Sequence, residues 1–91
     1  MTGRYRLLDQ LDLPGETLPG QVIVEIAGDN RVLIENHHGV REYTSEQICI
    51  CVRYGQVTVC GSELELRFMT KEQLIITGRV DSVILNRRIT K

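Results

Sequence analysis

From Gln21 onward the chain alternates. Val22, Val24 and Ile26 stand against Ile23, Glu25 and Ala27, the period of two that belongs to a β-strand, whose successive side chains point to opposite faces. Gly28-Asp29-Asn30 is turn chemistry, and Arg31 to Glu35 returns as the second strand of a hairpin. Asn36 to Gly39 turns the chain again into a short strand through Val40, Glu42 and Tyr43. Ile48, Ile50 and Val52 then alternate with Cys49, Cys51 and Arg53, which puts the two cysteines on one face. Tyr54-Gly55 turns into Val57 and Val59, and Gly61-Ser62 turns or bends into Glu63 to Phe68. That last run predicts Leu64, Leu66 and Phe68 toward the core and Glu65 and Arg67 toward water. Leu74 to Thr77, Gly78, and Val80 to Leu85 follow, with Asp81-Ser82 interrupting the alternation as a β-bulge does.

Thr44-Ser45-Glu46-Gln47 and Thr70-Lys71-Glu72-Gln73 both have the Thr-x-x-Gln form of a helix capping box. Neither is followed by helical spacing, so both read as loops before strands. The strand-glycine-strand unit recurs around Gly28, Gly61 and Gly78, but at unequal intervals, which excludes a solenoid repeat. The expected fold is therefore all-β, a compact antiparallel sandwich or barrel of about seven or eight short strands joined by glycine-containing turns. Residues 1–20 form a polar, leucine-bearing lead whose Leu7, Leu8 and Leu11 suit either a short helix or a strap over a sheet edge. Residues 21–85 form the single domain, and residues 86–91 a basic tail.

Composition narrows this picture without redirecting it. A chain of 91 residues makes one domain of modest stability, and its 42% hydrophobic content lacks Trp and has a single Phe. Its core is thus built mainly from Val, Ile and Leu, the first two of which favour a pleated sheet. Eleven basic against twelve acidic side chains leave a net charge of −1, no field for collecting phosphate backbones. Nucleic acid is not an expected partner, and the scattered Tyr5, Tyr43, Tyr54 and Phe68 form no base-stacking platform. Arg4 and Arg6 near one end and Arg87, Arg88 and Lys91 near the other would make a basic patch if they met, suited to an anionic surface or an acidic partner. Acidic residues interrupt the leucines of the first segment, and no stretch approaches the roughly 20 apolar residues of a membrane span. The expectation is a cytoplasmic protein with no membrane span.

Candidate chemistry is sparse. Glu35 and His37, two residues apart, would share a face as an acid and base pair, but no nucleophile motif accompanies them. Cys49, Cys51 and Cys60 are odd in number and lie in strand patterns, which fits reduced thiols. Together with His37 and His38 they support an alternative reading as a metal- or thiol-dependent site, although no Cys-x-x-Cys pair or His-x-x-x-His spacing is present. Glycine-rich phosphate loops and nucleophile elbows are absent from the sequence. No catalytic residue, metal or cofactor is expected, and a small all-β domain of this kind acts by presenting surfaces or sheet edges to partners, a second copy of itself included. The residues best placed for such a surface are Glu35, Asn36, His37 and Gly39, with a plain turn as the competing explanation.

Those residues also carry a resemblance. Leu13-Pro14, the strand Val22 to Gly28, and the corner Val32-Leu-Ile-Glu-Asn-His-His-Gly39 occur in the order seen in the sporulation proteins of the YabP/YqfC family, closest to the YqfC branch. The segments Gly55 to Gly61, Leu64 to Phe68 and Leu74 to Val80 are similar to that family's later strands. The resemblance covers about residues 12 to 85; the cysteines of the Ile48 to Val52 strand and His38, at a position often basic in relatives, depart from the pattern. It implies a protein of endospore-forming bacteria, made in the mother cell and needed for spore development or coat formation; joined to the sparse chemistry above, the expectation is a non-enzymatic protein that acts by protein contact. It further implies a neighbouring sporulation membrane protein as partner and a place at the forespore surface. No catalytic residues carry over.

Overall fold

The computed structural model describes residues 20–88, and the expected lead through residue 19, with its leucines, Arg4 and Arg6, lies outside them, as does Lys91. The chain is all-β, with no helix among the described residues. Among the described residues six strands run β1 Ile23–Ala27, β2 Arg31–Glu35, β3 Val40–Tyr43, β4 Gln47–Val52, β5 Gly55–Met69 and β6 Gln73–Arg87. All pair antiparallel in a single sheet of order β1-β2-β6-β5-β4-β3.

Six strands replace the expected seven or eight because two glycines that look like turns are not turns. Gly61 and Gly78 lie inside β5 and β6, each of which continues for 15 residues. The backbones of these two strands approach so closely that a Cβ on Gly61 would lie 1.8 Å from the Arg79 carbonyl oxygen, and one on Gly78 would lie 2.4 Å from that of Glu63. Gly78 also sits at φ 132°, a conformation that side chains rarely adopt. Glycine marks a bend here, and the register slips around it, between Cys60 and Gly61 and again between Ser62 and Glu65. Asp81 is the extra residue at the first slip, since Cys60 pairs with Ser82 and Gly61 with Val80, so the bulge lies where the interrupted alternation predicts it.

Bending divides the sheet into two halves. In one, β1 and β2 extend the first part of β6; in the other, β3 and β4 extend the first part of β5. Val32, Ile34, Leu74 and Ile76 from the first half, and Ile48, Ile50, Val52, Val57 and Val59 from the second, belong with Leu64 to one buried cluster. A single sheet folded over itself thus makes the core that two separate sheets would make in a sandwich. The ends β1 and β3 are not paired to each other, so the sheet is open and no barrel closes.

The period-two reading places most side chains correctly and fails at Phe68. Leu64 is buried, Leu66 packs against the core, and Glu65 and Arg67 face water with an ion pair of 3.0 Å between them. A register slip between Leu66 and Phe68 then sets Phe68 opposite Ile75, on the face away from Leu74 and Ile76, where it is 46% exposed. Both Thr-x-x-Gln segments are loops before strands, as their spacing predicts. In each, the Thr hydroxyl oxygen accepts from the N–H groups two and three residues on, and the Thr N–H donates to the Gln carbonyl, at 2.8 Å for Thr44 and 2.7 Å for Thr70.

Candidate functional site

The corner between β2 and β3 crosses from one half of the folded sheet to the other, and it is tied on both sides. Glu35, paired with Gln73 across β2 and β6, accepts a 3.0 Å bond from the Gln73 side-chain amide. Asn36 takes φ 65°, which its short polar side chain tolerates. Its backbone N–H donates to the Glu72 carbonyl at 2.5 Å, and its side-chain amide to the Gln21 carbonyl at 2.7 Å. Gly39 follows at φ 113°.

His37 lies at the centre and is 6% exposed. The Gly39 N–H donates to its Nδ1 at 2.9 Å, and its Nε2 lies 2.9 Å from the Thr70 carbonyl oxygen. An acceptor Nδ1 and a carbonyl facing Nε2 require the neutral ring with its proton on Nε2. Both nitrogens are then used, one to close the corner and the other to hold it to the β5–β6 loop. The adjoining backbone grips β4: the His38 N–H donates to the Cys51 carbonyl at 2.7 Å, and the Cys51 N–H to the Gly39 carbonyl at 2.8 Å.

Glu35 and His37 therefore do not form the acid and base pair that their spacing suggests, because each is committed to a different partner. The histidine and cysteine group does not assemble either. Cys49 is buried and donates to Gln56 Oε1 at 2.9 Å, whereas Cys51 and Cys60 are half-buried free thiols. Among the described residues no three His, Cys, Asp or Glu side chains stand where they could share a metal ion. The metal-dependent alternative thus lacks, among the described residues, the convergence it needs.

His38, exposed where His37 is buried, opens onto a second feature. A depression of about 530 Å³ is lined by His38, Arg41, Cys51, Gln56, Arg87 and Arg88 together with neighbouring backbone, and no acidic side chain lines it. Arg53 stands beside it with Tyr54, Arg87 and Arg88. The Arg87 guanidinium lies 5.5 Å from the centre of the Tyr54 ring, and the Arg88 N–H bonds the Tyr54 carbonyl at 2.6 Å. None of these four arginines forms an ion pair among the described residues. Whether Arg87 and Arg88 meet Arg4 and Arg6 lies outside the described residues; within them they gather with Arg41 and Arg53. That grouping comes from strands that become neighbours only in the folded sheet, so no local sequence signal announces it.

No helix among the described residues is long and apolar enough to cross a membrane. The model of the YabP family matches residues 20–91 of the chain. Among curated proteins, the uncharacterized protein YqfC of Bacillus subtilis (strain 168) is 20% identical over 73 residues, which cover 80% of this chain and 78% of that protein. No solved structure matches.

Proposed function

Because this chain belongs to the YabP family, we propose that it is a non-enzymatic sporulation protein that acts by protein contact in the mother cell, at the forespore surface, in spore development or coat formation. Membership supports the sporulation part of this reading. The mode of action is supported by one observation: the sheet is left open, with apolar side chains such as Ile84 and Leu85 exposed on strand residues that, among the described residues, have a neighbour strand on one side only. A sporulation membrane protein is the partner this reading favours.

The test is affinity purification of tagged protein from crosslinked sporulating cells, beside a strain lacking the gene. Recovery of a membrane protein with the tagged chain, and loss of spore yield, resistance or coat structure in the deletion strain, are the expected results. Recovery of no partner, with spores normal in all three respects, overturns the proposal.

A further inference from the structure

The second half of β6 is an unpaired edge. β2 pairs with β6 only from Gln73 to Thr77, whereas β5 continues alongside it to Arg87. Beyond Thr77, the side of β6 away from β5 therefore has no strand against it among the described residues. The β1–β2 turn covers the start of this stretch, where the Asp29 carbonyl accepts from the Val80 N–H at 2.8 Å. Asp81, at the bulge, guards the same end with a charge. From Ser82 to Arg87 no other described residue gives such protection. Ile84 and Leu85, on opposite faces, are 43% and 57% exposed, although Leu85 pairs with the fully buried Val57 and so points to the core side. A missing neighbour strand accounts for that exposure.

This edge runs into the arginine-lined depression. Arg87 ends the strand and Arg88 follows it, with Arg53 beside them, while Arg41 and His38 line the depression from the β3 side. We propose that the β6 edge from Ser82 to Arg87 takes up an extended acidic segment of a partner protein, which adds a strand to the sheet and sets its carboxylates against Arg53, Arg87 and Arg88. Main-chain bonds to the free edge supply affinity, the apolar positions of the segment cover Ile84 and Leu85, and the arginines select for acidic side chains. A second copy of this chain is the poorer fit. Two β6 edges paired about Ile84 would answer Arg87 with Asp81 but leave Arg53 and Arg88 without a counter-charge.

The inference rests on the contact function proposed above and names its surface. Its test uses the purified full chain and a fluorescein-labelled octapeptide of alternating Glu and Val, with a Lys and Val peptide as control. The expected result is saturable binding of the acidic peptide alone, weakened by salt, with amide hydrogens between Ser82 and Arg87 newly protected from exchange. The doubly substituted R87E/R88E chain, altered only at exposed positions and shown by circular dichroism to be folded, should bind it about tenfold more weakly or worse. No saturable binding at millimolar peptide overturns the proposal, and so does protection confined to another part of the sheet. Binding of phosphatidylglycerol vesicles in place of the peptide would make the arginines a lipid surface, and a concentration-dependent dimer protecting the same amides would make the edge a self-interface; either outcome replaces it. If the peptide fails while crosslinked cells still yield a partner, the contact function stands and only its location is wrong.

Discussion

His37 makes two hydrogen bonds whose partners would both be stranded by truncation. Replacing it with alanine leaves the Gly39 N–H and the Thr70 carbonyl without their ring partner in a part-buried place, and the expected loss is about 1–3 kcal/mol of unfolding free energy. His38, one residue on and exposed, should change stability by no more than about 0.5 kcal/mol as alanine. Urea denaturation of the two variants checks both values, and equal effects would contradict the role given to His37. Much of this corner is legible from composition alone: Asn36 and Gly39 are the residue types that adopt positive φ, and both do so. The opposite environments of His37 and His38 are not legible, because the group that accepts the hydrogen bond from His37 Nε2 is the carbonyl of Thr70, distant in sequence and placed only by the β2–β6 pairing.

At the scale of elements, the two Thr-x-x-Gln loops share a geometry but differ in what hangs on them. The Thr70 loop supplies the Thr70 carbonyl to His37 and the Glu72 carbonyl to Asn36, whereas the Thr44 loop makes neither contact. Thr70→Ala and His37→Ala should therefore be non-additive, with an interaction energy of about 0.5 kcal/mol or more in a double-mutant cycle. Thr44→Ala and His37→Ala should add within about 0.5 kcal/mol. Gly78→Ala tests the bend itself. The new methyl group meets the Glu63 backbone at a φ that disfavours it, so a loss of about 3 kcal/mol or more is expected, up to failure to fold; a near-neutral result by circular dichroism and urea titration would show that the bend is not held as described. Alternation located every strand, because period survives within each half. It miscounted them because a glycine inside a bent strand and a glycine in a turn leave the same mark in sequence, and the local slip after Leu66 that turns Phe68 outward leaves none.

For the whole molecule, both halves of the sheet contribute to one cluster of buried Val, Ile and Leu. Unfolding should accordingly be one cooperative event, with far-ultraviolet dichroism and tyrosine fluorescence tracing the same urea curve. Separate transitions would mean that the halves hold together independently. The all-β class follows from the β-branched composition and the period of two, while the gathering of Arg41, Arg53, Arg87 and Arg88 around one depression emerges only from the order in which the strands lie.

That order has a further consequence, for the time course of folding. β6 is last of the six strands in the chain yet central in the sheet, the strand on which both β2 and β5 lie. On a ribosome, β1 and β2 emerge early as a hairpin with nothing to rest on, and isolated hairpins are marginal in water. They remain so until residues near Gln73 have cleared the exit tunnel. The nascent chain thus passes most of its synthesis with its Val and Ile strands uncovered, a period in which a chaperone, or early arrival of a partner, has most to act on.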